Sequence, residues 1–325
     1  MQGVKNHDRP TAAGPRGPFG SVERARPPIG ASRRGLGGGT YRFLVFALPG
    51  AAVYVGLVLV PMVMAIGTST TDRNGFRPAT HFVGLRNYGD LFSDPAYLQT
   101  LRNTLILTAI VTIVPNVLGL AIAQLLDRRG WAFNAMRAVF FVPVVLSSVV
   151  VSVIWETIIT DDGLLNLVLR GLGVAQPPGW LSDPGIALYS VASIMCWQML
   201  GLCVVIYLAG LQGVPQELME AAAIDGAGPV TRFRAVTWPM IAPAVTICTV
   251  LLMIGGFKAY DQVKVMTNGG PGIGTTTTLA FDVVATGIDG AHIGYGAAKA
   301  TLMLVLIAAV SFAALRLLRR REVEL

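Results

Sequence analysis

The stretch that decides how this chain is read runs Pro215-Gln216-Glu217-Leu218-Met219-Glu220-Ala221-Ala222-Ala223-Ile224-Asp225-Gly226-Ala227-Gly228-Pro229. Pro215 suits the first turn of a helix, where its missing N–H costs nothing. Glu217 near that end favours the helix dipole. Leu218, Met219, Ala221, Ala222, Ala223 and Ile224 are good helix formers. Asp225-Gly226 stops the helix, because glycine accepts the left-handed conformation after a C-cap. Gly228-Pro229 restarts a second helix with proline in its first turn. The spacing predicts helix, tight turn, helix within 212–240, and a long apolar run stands on each side.

Those flanking runs belong to a set of six, at about 43–67, 104–126, 138–159, 186–211, 241–263 and 294–317. Each is long enough to cross a hydrocarbon core of ~30 Å at ~1.5 Å per residue. Pro61, Pro115 and Pro143 fall inside runs, which membrane helices tolerate. Composition agrees: 53% of the 325 residues are hydrophobic and 13% charged, and the mean hydropathy is +0.61. Soluble domains carry about 25% charge, so a disordered chain and a soluble enzyme are both excluded. The expected fold class is an all-α polytopic membrane protein with six transmembrane helices at 41–325. Residues 1–40, rich in Gly, Pro and Arg, are expected to form a disordered cytoplasmic tail. Arg24, Arg26, Arg33 and Arg34 give that tail a second reading, a hold on anionic lipid.

Orientation follows from Lys and Arg. With the N-terminus inside, 17 of the 25 basic and 8 of the 18 acidic residues fall on the cytoplasmic side, which nets +9 against −2 outside. Six spans then place both termini in the cytoplasm, in agreement with the Arg316–Arg321 cluster. The net charge of +7 is thereby a topology signal, and no nucleic-acid partner is needed to explain it; the lipid bilayer is the expected surroundings. Cys196, Cys203 and Cys248 lie in apolar runs without a CxxC spacing, and His7, His81 and His292 are far apart, so no metal site is expected.

Glu220-Ala221-Ala222, three residues, Gly226, nine residues, Val236, one residue, Trp238-Pro239 resembles the EAA loop of binding-protein-dependent ABC importer permeases. That pattern reads EAA, three residues, G, nine residues, I, one residue, LP; the departures are Val236 for Ile and Trp238 for Leu. Glu220 to Pro229 is similar to the carbohydrate branch of the family. So are Phe82-Val83-Gly84-Leu85, Asn87-Tyr88, Asp94-Pro95 and Asn103-Thr104, and the turn Asn268-Gly269-Gly270-Pro271. The resemblance covers roughly 42–321. It implies the type I ABC importer permease (MetI-like) fold in a bacterial inner (plasma) membrane. The predominance of arginine, 21 of the 25 basic residues, fits a G+C-rich bacterial genome. The implied partners are a second homologous permease subunit, an ATPase dimer that holds ATP and Mg2+, and an extracytoplasmic solute-binding protein. This chain itself would carry no cofactor. Glu220, Ala221, Ala222, Asp225, Gly226 and Pro239 are implied to meet the ATPase. The turn at 268–271 reads either as a simple turn or as a structure reaching into the extracytoplasmic partner.

Polar and aromatic residues within spans are costly in lipid, which makes them candidates for the substrate path. They are Trp197 and Gln198 in the fourth run and Lys258, Tyr260, Asp261 and Gln262 at the end of the fifth. Aromatic faces with hydrogen-bonding side chains suit sugars. By the resemblance, Trp197 falls where the family's maltose permease touches substrate with a tryptophan. Gly256 and Ala259 fall where it uses asparagines, so a maltose-like mode is not carried over. Trp197 otherwise reads as a helix-interface aromatic, and Lys258 as either a substrate contact or a side chain snorkelling to the surface. Glu156 lines an aqueous path or sits at the interface. No GxxxxGK[ST], HExxH or GxSxG occurs, so ATP hydrolysis belongs to a separate subunit. The expected cargo is a carbohydrate; a glycerol phosphate or other polyol-like solute is the alternative. A stand-alone secondary transporter or channel would need intramembrane ionisable residues or inverted repeats.

Overall fold

The structure is a computed structural model that describes residues 36–77, 79–128 and 130–320. The tail expected at 1–40 lies outside the described residues up to position 35, and with it Arg24, Arg26, Arg33 and Arg34. Every regular element described is helical, and the one bridge among these residues is an isolated antiparallel pair of Thr71 and Phe82. α1 (Leu36–Tyr54) forms a unit by itself. The residues from Val55 on form the second unit, starting with a π-turn that leads into α2 (Val60–Ser69).

Five helical stretches are long and apolar enough to span a membrane: Val45–Ser69, Pro95–Leu126, Ala187–Gln212, Ala242–Met266 and Ile293–Arg319. A sixth consists of two pieces, Trp131–Val145 and Ser148–Gly171, that meet at 99°. The chain is thus a multi-pass membrane protein. In order after α2 come α3 (Arg86–Ser93), α4 (Pro95–Leu126), α5 (Trp131–Val145), α6 (Ser148–Ile159), α7 (Leu164–Gly171) and α8 (Ala187–Gln212). Then follow α9 (Gln216–Ile224), α10 (Pro229–Arg232), α11 (Trp238–Met240), α12 (Ala242–Phe257), α13 (Asp261–Met266), α14 (Leu279–Val284) and α15 (Ile293–Arg319).

The third apolar run, expected as one straight span over 138–159, is instead broken. Pro143 removes an N–H from the helical ladder, and Leu146 and Ser147 turn extended, with ψ of 143° and 136°. The break is stabilised from α8: the Gln198 amide donates to the Leu146 carbonyl at 3.1 Å. A freed carbonyl inside a membrane protein needs such a partner.

α8 is the hub of the second unit. Leu107 and Val111 of α4, Val151 of α6, Val191 and Met195 of α8 and Val263 of α13 build one buried cluster. Ala123, Val204, Tyr207, Ile241 and Leu252 build a second around α4, α8 and α12. Small residues let the backbones approach, as membrane helices require in the absence of a hydrophobic drive between them. A Cβ added at Gly201 would overlap the Phe140 carbonyl of α5, and one at Gly119 would overlap Cys203. Gly201→Leu is therefore expected to cost about 1–3 kcal/mol by overpacking, read as a lower melting temperature of the purified protein. An unchanged melt would refute the close α5–α8 contact.

The end of the bundle opposite 212–240 is tied by hydrogen bonds. Asn87 Nδ2 donates to the carbonyls of Ser69 and Thr71 at 2.8 and 2.9 Å. The Asp94 carboxylate accepts from Ala96 N at 2.9 Å and caps α4. Asn103 Nδ2 donates to the Gly274 carbonyl at 2.8 Å, and Thr104 Oγ1 accepts from Leu279 N at 2.9 Å. The polar positions of the stretch 82–104 are thus used to build scaffold. Asp72 belongs to the same end. A hydrogen bond from the His81 backbone N–H is the main cause that holds its carboxyl below the usual carboxylate range.

Candidate functional site

Two places concentrate the residues singled out from sequence. The first is the segment between α8 and α12. α9 carries no buried residue. Gly226 follows its C-cap with φ +76°, a backbone that other residues reach only with strain. Its N–H donates to the Ala223 carbonyl at 3.1 Å, and Ala227 N donates to Ala222 at 3.0 Å, so the carbonyls at the helix end are satisfied. Glu220 is exposed, and its carboxylate accepts from Gln216 Nε2 at 2.9 Å. Ala221, Asp225 and Gly226 are exposed, and Ala222 and Pro239 half-buried. Ile224 and Val230 present apolar side chains to the outside at 87% and 72% exposure. An acidic helix with bare apolar flanks is a docking shape, since large apolar side chains are otherwise buried.

The two arms of the segment are braced against each other. Met219 Sδ accepts from the Thr237 hydroxyl at 3.7 Å, and the Phe233 and Trp238 rings lie 6.1 Å apart. α10 continues through a π-turn at Phe233–Thr237 into α11, and a single residue, Ile241, separates α11 from α12. α9 is thus joined to a membrane-spanning helix through short connections.

The second place is a groove of about 410 Å³ between α4 and α8, lined by Val114, Pro115, Tyr189, Ser193 and Trp197 among others. Trp197 is half-exposed there and meets Trp155 edge-on, ring centroids 5.4 Å apart. The remaining path candidates do not gather around it. Gln198 is buried and braces the Leu146 break, while Gln262 Nε2 lies 3.4 Å from its oxygen. Gly256 is packed onto Thr108, where a Cβ would clash with the backbone. Ala259 is buried, its carbonyl accepting from Thr278 Oγ1 at 2.6 Å. Tyr260 stacks on Phe281 at 6.3 Å, Asp261 is half-buried at the start of α13, and Lys258 is exposed.

One buried polar group escaped the sequence reading. Lys299 of α15 is 6% exposed. Its ammonium lies 2.8 and 2.9 Å from the Asp282 carboxylate oxygens and 2.9 Å from Thr286 Oγ1, with the Tyr295 ring 5.0 Å away. The signal was a lysine inside an apolar run; its partner lies 17 residues earlier, across a turn that periodicity does not reveal.

Residues 115–323 match the family described as the binding-protein-dependent transport system inner membrane component. The chain is 31% identical over 283 residues to the "Probable starch degradation products transport system permease protein AmyD" of Thermoanaerobacterium thermosulfurigenes, covering 87% of this chain and 96% of that one. It is 34% identical over 294 residues to the diacetylchitobiose uptake system permease protein NgcF of Streptomyces coelicolor, covering 86% and 82%. A chain of the crystal structure of a bacterial alginate ABC transporter, in complex with an alginate-pentasaccharide-bound periplasmic protein, superposes with a TM-score of 0.75 at 18% identity, over 86% of this chain and 94% of that one. The fold is therefore that of ABC importer permeases, and the chain belongs to the binding-protein-dependent transport permease family. A transport component, rather than an enzyme, is what this family comprises.

Proposed function

We propose that the chain is a permease subunit of an ATP-binding-cassette importer that carries a neutral di- or oligosaccharide. The membrane role rests on family membership. The cargo class rests on relatives named for starch degradation products and diacetylchitobiose. The observation that carries the mechanism is the exposed α9–Gly226–α10 segment with its EAA spacing. In this reading the segment lies on the cytoplasmic side of a bacterial inner membrane, with both termini on that side.

Glu220 offers a carboxylate to a basic group of the ATPase, and Ala221 and Ala222 allow close approach. Asp225 and Gly226 fix the turn, and Pro239 begins the return to α12. ATP and Mg2+ are held by the ATPase dimer. Closure of that dimer moves the segment, opens a cavity shared with a second permease subunit, and admits cargo from a docked solute-binding protein. Trp197 supplies an aromatic face to the sugar ring. Gln198, Gly256 and Ala259 support the path from inside the bundle, while Lys258, Tyr260 and Asp261 sit near its outer mouth.

The test is uptake of maltotriose and diacetylchitobiose by the complete transporter in proteoliposomes. Trp197→Ala is expected to lower uptake about tenfold or more, since truncating an aromatic anchor costs about 2 kcal/mol. Trp197→Phe should recover most of it, and Trp155→Phe should change only the melting temperature. Normal uptake by Trp197→Ala would refute the groove as part of the path.

A further inference from the structure

A second, open cavity lies beyond the Trp197 groove, toward the end of the bundle that carries 212–240. It measures about 430 Å³, and its walls come from α4, α8, α11 and α12. α4 supplies Thr112, Asn116 and Gln124, positions separated by multiples of four and hence on one helix face. Tyr207 of α8 donates its hydroxyl to the Asn116 amide oxygen. Thr249 of α12 and Trp238 of α11 complete the wall.

Several features set this cavity apart. Its polar groups stand inside spans that are otherwise apolar, where such groups are costly and mark pathways. Among the described residues the Thr112 hydroxyl is buried and has no hydrogen-bond partner, while Asn116 Nδ2 donates to the Thr112 carbonyl at 2.6 Å. Among the described residues no Asp, Glu, Lys or Arg lines the cavity. One helical turn from Thr112, beyond the cavity, Gly256 of α12 packs directly on Thr108.

Trp238 links this cavity to the motor segment. It occupies the position where the family's pattern has leucine, on the last short helix before α12. An indole there gives the cavity an aromatic face that leucine lacks.

We propose that this cavity is an inner station for cargo, taking a neutral polyhydroxylated ring against Trp238 with its hydroxyls on Asn116, Gln124 and Thr249. It rests on the carbohydrate reading above. It adds that cargo is held a second time before release, against a wall that moves with the ATPase-facing segment. The absence of charge in the lining excludes phosphorylated and uronate solutes from the station, because an unpaired anion is expensive at such a place.

The test is cysteine protection in the complete transporter in nanodiscs. Gln124 is exposed, whereas Cys196, Cys203 and Cys248 are buried, so Gln124→Cys gives a distinct labelling site for a water-soluble maleimide. Maltotriose or diacetylchitobiose, added at ten times its dissociation constant, should slow labelling about tenfold. Glycerol 3-phosphate should leave the rate unchanged. Adding Trp238→Leu should raise the saccharide concentration needed about tenfold, and Thr249→Val, a milder change, should raise it in the same direction. Labelling that neither saccharide slows, or that glycerol 3-phosphate slows equally, would overturn the inner station. If saccharide uptake were intact in that case, the cargo reading would stand and only the station would fall. If no saccharide were taken up at all, both would fall.

Discussion

Gly226→Pro is expected to cut saccharide uptake about tenfold or more while leaving the bundle assembled. Proline is fixed near φ −65°, and Gly226 stands at +76°. Its N–H also closes the end of α9 on the Ala223 carbonyl, and proline has none. The turn would have to reopen, at a cost of order 1–3 kcal/mol for a residue held in the wrong region, and α9 would swing away from the angle at which it meets the ATPase. Because the segment is exposed and α9 buries nothing, the damage stays local. Uptake should fall about tenfold or more, since ~1.4 kcal/mol at the docking contact is already a factor of ten. ATP hydrolysis should lose its response to loaded binding protein. Gly226→Ala, which reaches a positive φ at a cost of about 1–2 kcal/mol, should fall between proline and the native chain. Glu220→Lys should uncouple in the same way through charge reversal. Intact coupling in both Gly226→Pro and Glu220→Lys would remove the role assigned to the segment.

Asp282→Asn is expected to destabilise the protein by about 3–5 kcal/mol, because it leaves Lys299 charged and unpaired in a buried site. The side chains of Lys299 and Asp282 are 7% and 16% exposed, so solvent screens the pair little. The neutralised pair Asp282→Leu with Lys299→Met should recover much of the loss, since apolar replacement of a whole buried pair is often neutral or stabilising. The measurement is the melting temperature of the assembled transporter. It also separates two classes of function. A pair that holds α14 to α15 predicts a lower melt for the single variant and transport that returns with the double. An ion-coupling pair, as in a secondary transporter, predicts a normal melt and transport lost in both.

Much of the fold could be read from the residues because the signals were local. Six apolar runs needed only length and hydropathy. The α9 start at Gln216 and the turn at Gly226 needed only proline, alanine and glycine chemistry. The 99° break at Leu146-Ser147 was not legible in the same way. Pro143 hinted at it, but membrane helices often absorb a proline, and the partner that stabilises the break is a glutamine 52 residues later. The same long-range dependence governs the path candidates. Gln198 was singled out as a polar residue in a span, and the structure shows what its amide holds. Gly256 and Ala259 gave no sign in sequence of being packing positions. Asp282 was not singled out, because only the packing of α15 brings Lys299 beside it. Polar residues in a membrane span announce that something must satisfy them; only the packing says whether that is a neighbouring helix or an open groove.

The central claim, that a separate ATPase drives this permease through the α9–Gly226–α10 segment, is tested most directly by reconstituting the chain with its partner permease, ATPase and solute-binding protein and measuring ATP hydrolysis with and without bound saccharide. Hydrolysis should rise with saccharide-loaded binding protein, uptake should require ATP, and Gly226→Pro should lose both responses. Uptake that proceeds without ATP on an imposed ion gradient, or hydrolysis equally stimulated in Gly226→Pro, would contradict it.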